Sequence, residues 1–146
     1  MIQSDFEHYK ISNFSLNEIA NTGANILDVN VFLFVTLQLF RVKLDRAIVL
    51  LYGGITTGVH SSFQHMNGTA VDITFREGEG EINIGVLHNA AQEAGFSGFG
   101  AYWNGTAFSF HLDLGPSVRS WLWWKRHREE QWHKESIYKN PLLFTR

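Results

Sequence analysis

The chain has 146 residues, enough for one domain with a substantial core, and its apolar fraction of 45% is that of an ordinary globular protein. A formal charge of −2 gives no electrostatic footprint for non-specific nucleic-acid binding, and the absence of cysteine excludes disulfides and thiolate metal sites. No apolar stretch is long enough to predict a transmembrane segment.

Residues 1–14 carry only weak strand-like alternation. Ser15-Leu16-Asn17-Glu18 fits a capping box, in which serine and glutamate reciprocally satisfy two backbone N–H groups, and predicts a short helix ending at Thr22-Gly23. A second helix is expected from the N-cap Asp28 to about residue 42, through Phe32, Leu33, Leu37, Leu39 and Phe40. Apolar residues surround it, which predicts a largely buried helix; its β-branched content leaves a strand pair as the alternative. Residues 47–52 form a continuous apolar run and predict a central strand. The glycine- and serine-rich stretch 53–68 predicts a loop that delivers His65; His60 in the same loop reads as a spare ligand, a substrate contact or an exposed side chain. Residues 76–81 read as an exposed acidic loop whose oxygen spacing does not match a calcium-binding EF-hand. A helix is expected over 83–94 and stops at Gly95. The runs 96–103 and 106–114 flank Asn104-Gly105, a strong hairpin signal. Pro116 favours a last helix over 117–138, with Val118, Trp121, Leu122 and Trp132 toward the core. Together these elements predict a single α+β domain over 1–146: a small, largely antiparallel sheet with helices packed on one face.

Two stretches carry chemistry. Residues 69–75 read as a strand in which Val71, Ile73 and Phe75 face one way and Ala70, Asp72 and Thr74 the other, so Asp72 is a charge within an apolar segment. A buried carboxylate needs a partner, and the small Ala70 leaves room for one. His65 lies seven residues ahead of it. In Ser109-Phe110-His111-Leu112-Asp113-Leu114 the alternation puts Ser109, His111 and Asp113 on one face. Each histidine alone reads better as an ordinary satisfied residue than as a ligand. If the two polar faces adjoin, however, His65, Asp72 and His111 form a two-imidazole, one-carboxylate set, the donor type of a catalytic zinc site that keeps its fourth position for water.

The stretch His65-Met66-Asn67-Gly68-Thr69-Ala70-Val71-Asp72 resembles the Ser-x-His-x-x-Gly-x-Ala-x-Asp motif of zinc peptidases that cut peptidoglycan peptides: D-alanyl-D-alanine carboxypeptidases, vancomycin-resistance dipeptidases and L-alanyl-D-glutamate endopeptidases of phage endolysins. His111-Leu112-Asp113-Leu114-Gly115-Pro116, with Arg119 and Trp121, resembles the His-x-Asp-x-Gly-Pro ending of one branch. The likeness covers roughly residues 14–124 and implies Zn2+ on His65, Asp72 and His111. The chain departs from the family at three places. Phe63 stands where the motif serine belongs, with Ser62 one step further off. Leu51-Tyr52-Gly53-Gly54-Ile55-Thr56 holds no substrate arginine, and Phe108 occupies the position three before the last histidine that carries the catalytic acid in several members.

The resemblance implies a zinc-dependent hydrolase of peptidoglycan stem peptides, with a non-catalytic wall-binding or virion structural module of the same fold as the alternative. Asp113, on the face of His111, is then either the proton acceptor or the partner that orients a ligand histidine; Glu79 and Glu81 are the next acceptors to test. Ser62 and Arg119 are expected at the substrate, with an ion pair to Asp113 as the other role for Arg119. Trp123 and Trp124, followed by Lys125, Arg126, His127 and Arg128, read either as an attachment surface for wall, anionic membrane or partner protein, or as a terminal helix packing its tryptophans on the sheet. Met1-Ile2-Gln3-Ser4-Asp5-Phe6-Glu7-His8 lacks the basic region and apolar run of a signal peptide, which predicts cytoplasmic synthesis and action at the wall after release or phage delivery.

Overall fold

In the computed structural model, which describes residues 1–56, 63–76, 80 and 82–137, the Asn104-Gly105 turn does what its chemistry dictates. Gly105 takes a positive φ of 93°, and the Asn104 side-chain oxygen accepts from the backbone N–H groups of Thr106 and Ala107, each at 2.9 Å. The strands on either side are β3 (Gly98–Trp103) and β4 (Phe108–Asp113), paired in register from Trp103 opposite Phe108 to Gly98 opposite Asp113. This hairpin is the middle of a six-stranded sheet. Strand β1 (Ile48–Leu50) pairs with β2 (Ala70–Phe75), β2 pairs with β4, and β3 pairs with β5 (Arg119–Trp124), which in turn carries β6 (His133–Glu135). The spatial order is β1-β2-β4-β3-β5-β6, and every pairing is antiparallel except β3 with β5.

Alternation sorts the sheet into two faces. Val71, Ile73 and Phe75 of β2, Phe99 and Ala101 of β3, Phe108, Phe110 and Leu112 of β4 and Leu122 of β5 are buried on one of them. The helices α3 (Val31–Leu44) and α5 (Ile84–Ala94) pack together and close this face, sharing one core with it through Leu33, Phe34, Leu37 and Phe40 and through Leu87 and Ala91. Burying a side chain of this size removes about 1.5–3 kcal/mol worth of apolar surface from water, so this layer supplies most of the driving force for folding. The expected α+β architecture, with helices on one face of a largely antiparallel sheet, is what the chain forms. The capping box holds as well: Glu18 N–H donates to Ser15 Oγ at 3.2 Å and Ser15 N–H to the Glu18 carboxylate at 2.8 Å, opening α2 (Leu16–Asn21).

Four expectations need correction. The last helix over 117–138 does not form; β5 and β6 occupy that stretch. The spacing of Val118, Trp121, Leu122 and Trp132 imitates a helical stripe, but β3 offers an open edge, and Arg119 to Trp124 pairs with it residue by residue. A fully registered ladder outweighs a weak helical period. On that strand Leu122 alone is fully buried, while Val118 and Trp132 are exposed. The run 47–52 yields an edge strand of three residues, not a central one, because the ligand-bearing β2 and the hairpin fill the middle. The helix expected from Asp28 starts at the N-cap Asn30, whose side chain accepts from Phe32 N–H at 2.9 Å; Ile26–Asp28 is a separate 3-10 turn. That helix is buried along one stripe only, with Phe32, Leu39 and Val42 exposed. The N-terminal residues form a helix, α1 (Gln3–His8), in place of the strand-like alternation.

Candidate metal centre

The face opposite the helices holds the polar side chains. Three cross-strand rows run across it. Ala70, Asp113, Gly98 and Arg119 form the first; Asp72, His111, Gly100 and Trp121 the second; Ser109, Tyr102 and Trp123 the third, continued by Lys134. The two glycines make a trough along β3. A methyl on Gly98 would overlap the Asp113 carboxylate, and one on Gly100 would overlap the Trp121 indole. Side chains of β4 and β5 therefore lean into the space β3 leaves, and Arg119 reaches Asp113 across it.

His65 comes from outside the sheet. It sits on a single helical turn, α4 (Phe63–Met66), that runs into β2 through Asn67-Gly68. The segment after β1 fixes both His65 and Asp72. Gly54 O accepts from Asp72 N–H at 2.7 Å, and Ile55 O lies 2.8 Å from His65 Nδ1. The structure thus brings the three sequence-predicted ligands together. His65 Nε2 is 3.0 Å from His111 Nδ1 and 3.3 Å from Asp72 Oδ1, and His111 Nδ1 is 3.2 Å from the same Asp72 oxygen.

Hydrogen-bond partners settle which nitrogens carry protons. The Ile55 carbonyl only accepts, so His65 Nδ1 donates to it and Nε2 keeps its lone pair. Asp113 Oδ2 lies 2.7 Å from His111 Nε2, so that nitrogen donates; Nδ1, 3.2 Å from Asp72 Oδ1, carries a proton to Asp72 when the imidazole is charged and turns its lone pair inward when it is neutral. Two imidazole lone pairs and a carboxylate oxygen then converge on one point. Such a set repels itself unless a proton or a cation lies between. Donors bound tetrahedrally to zinc at about 2.0–2.1 Å stand about 3.3 Å apart, and the three separations here match that spacing. The residues present fit a metal ion.

Titration follows the same geometry. Burial works against the Asp72 charge, but hydrogen bonds from His111 and His65 outweigh it and hold the carboxyl at about 2. Burial works against charging His111, and its bonds to Asp113 and Asp72 outweigh that, raising its pKa above the ordinary 6.5. The Asp113 carboxyl is pushed well below its usual range: burial opposes this, and His111, Arg119 and the Gly115 N–H prevail.

Asp113 itself is 1% exposed and accepts four hydrogen bonds: one from His111, two from Arg119 Nη2 at 2.6 Å each, and one from Gly115 N–H at 2.8 Å. A carboxylate has about four lone-pair sites, so none is left for a water. This arrangement fits the orienting role for Asp113, behind His111, and pairs Arg119 with Asp113. Phe108, three residues before His111, packs into the core against Trp103 and Phe110. His60, Ser62, Glu79 and Glu81 lie outside the described residues.

Four contributors were not singled out by the sequence. Ile55 acts through its backbone carbonyl, which no side-chain pattern reveals. Gly98 and Gly100 were visible as an alternating pair, and the hairpin register alone puts Gly100 opposite His111. Tyr102, two residues further along the same face, follows from the same count. Trp123 and Trp124 separate to opposite faces. Trp124 packs against the core and stacks on His133, and Trp123 lies with Lys134 over its ring. Among the described residues no helix is long and apolar enough to cross a membrane. Compared with protein-family models, curated proteins and solved structures, the chain gives no match, so the reading of this centre rests on its own geometry.

Proposed function

We propose that the chain is a zinc-dependent peptidase acting on the stem peptides of peptidoglycan. The observation that carries the metal is the convergence of three lone-pair donors within 3.3 Å of one another, the two imidazoles each oriented by a partner behind it. The substrate class rests on the resemblance of His65 to Asp72 and of His111 to Pro116 to the wall-peptidase motifs. His65, Asp72 and His111 would hold the ion. A zinc ion so held would polarise a scissile carbonyl and acidify a water to about pKa 7. Ile55 and Asp113 fix the two imidazoles so that their lone pairs face inward. Arg119 keeps Asp113 ionised, which keeps the His111 proton on the outer nitrogen. Asp72 brings the negative charge that makes the set selective for a cation.

A second reading has a specific observation in its favour. Asp113 is saturated and Phe108 points into the core, so no carboxylate of the described part of β4 is placed to take a proton from water. A wall-binding or virion structural module that keeps the metal but not the chemistry accommodates both facts. Zinc loading followed by mass spectrometry of digested peptidoglycan separates the two. Stoichiometric zinc with peptide cleavage that a chelator abolishes supports the peptidase; stoichiometric zinc without cleavage supports the module. A protein that takes up no zinc overturns both.

A further inference from the structure

The second and third rows of the polar face hold a feature that metal binding does not require. The Trp121 indole lies over Gly100, directly across from His111, and its ring centroid is 5.3 Å from the His111 ring. From there Trp121 Nε1 donates to the Tyr102 hydroxyl at 2.8 Å. The phenol is thereby folded back over the trough, toward the metal ligands and away from the strand end where its own Cα sits. An indole N–H can only donate, so the tyrosine oxygen spends an acceptor site on it and keeps its own O–H proton to give. Among the described residues that proton meets no hydrogen-bond acceptor.

We infer that Tyr102 is a substrate-contacting residue of this centre, whose hydroxyl, held in place by Trp121, donates a hydrogen bond to an oxygen of the ligand that occupies the metal. This deepens the proposed function and rests on its metal. The recognised chemistry is an oxyanion: a carbonyl oxygen gaining charge during peptide cleavage, or a carboxylate or phosphate oxygen in a resting ligand. A pre-placed neutral donor at that point stabilises developing negative charge without reorganisation. At neutral pH a phenol keeps its proton and is therefore a donor. Tyr102 acts on the ligand directly; Trp121 is the positioning residue.

Cobalt(II) substitution supplies the test, because its visible spectrum reports both metal uptake and ligand binding. The probes are inorganic phosphate, which has oxygens to accept from Tyr102, and imidazole, which binds through nitrogen and has no second acceptor. Tyr102→Phe is expected to load cobalt as the parent does, to bind imidazole unchanged, and to bind phosphate about 10- to 100-fold more weakly, the range for a lost hydrogen bond to a charged group. Trp121→Phe keeps an aromatic ring over Gly100 but removes the N–H, and is expected to weaken phosphate alone by a smaller factor. It carries the measurement if Tyr102→Phe does not fold. Equal phosphate affinity in parent and variants, or equal loss for phosphate and imidazole, overturns the inference. Failure of the parent to take up cobalt is read first, and overturns it together with the metal on which it rests.

Discussion

Replacing Asp113 with asparagine distinguishes the two roles considered for this residue. The carboxylate accepts from His111, Arg119 and Gly115 at 2.6–2.8 Å, and asparagine offers one oxygen where two now serve. If the amide oxygen turns to His111, its NH2 group faces the Arg119 guanidinium. If the amide nitrogen turns to His111, the imidazole must move its proton to Nδ1, inside the donor set, and ceases to be a ligand. Loss of a partner behind a ligand histidine lowers metal affinity about 10- to 100-fold, or about 1.4–2.7 kcal/mol. The metal-free fold suffers as well. Breaking a buried ion pair costs about 3–5 kcal/mol, and the Arg119 side chain is 32% exposed and regains part of that from water, so about 2–3 kcal/mol is expected. Zinc competition against a chromophoric chelator measures the first quantity, and urea unfolding in chelator the second. Unchanged zinc affinity accompanied by abolished peptide hydrolysis would refute this reasoning and return Asp113 to the role of proton acceptor.

Three further outcomes follow from the same geometry. Asp72 and Asp113 titrate below the ordinary 3.8 in the fold, so their stabilisation is present above that pH and fades as pH falls through the folded values; His111 titrates above 6.5, so its stabilisation is complete below 6.5 and fades as pH rises through its raised value. The metal-free protein should be most stable between about pH 4 and 6.5, and zinc should shift the optimum upward because ligand histidines must be unprotonated; urea unfolding across pH, with and without zinc, checks this, and a flat metal-free profile from pH 5 to 8 contradicts it. Trp124→Ser should cost about 2–4 kcal/mol because that ring packs on the core, and Trp123→Ser about 1 kcal/mol, an asymmetry that a helix over this stretch would not produce. Gly100→Ala should push the Trp121 indole off β3 and cost about 1–3 kcal/mol, visible as a change in tryptophan fluorescence alongside a lower unfolding midpoint.

The ligands and the hairpin were legible because each rests on a short-range rule. Asn104-Gly105 defines its own turn, and alternation from that turn assigns His111 and Asp113 to one face without further information. The C-terminal stretch was not legible, because its state depends on an open strand edge more than fifteen residues away. Val118, Trp121 and Leu122 satisfy a helical spacing and a strand alternation at once, and only the partner decides between them. The same holds for residues 47–52, whose apolar run says that they are buried against something but not that they lie at the border of the sheet. The role of Asp113 turned on Arg119, whose reach across Gly98 is a consequence of the parallel β3–β5 register and of no local pattern.

That parallel pair also constrains the order in which the molecule can assemble. The five residues 114–118 carry the chain from the end of β4, around the start of β3, to β5, so β3 lies between two strands that follow it in sequence. Ser97 stitches the crossing from both sides: its N–H donates to Asp113 O at 3.0 Å, and its carbonyl accepts from Arg119 N–H at 2.9 Å. Strand β5 pairs with β6 but joins the rest of the sheet only through β3, and Arg119 meets Asp113 only once β5 has docked there. Holding the His111 Nε2 proton through an Arg119-paired Asp113 therefore requires β5 to be docked on β3. During synthesis the centre is completed by the segment that emerges after all three ligands, and a nascent chain ending before Arg119 would carry every ligand without the contact that aligns them.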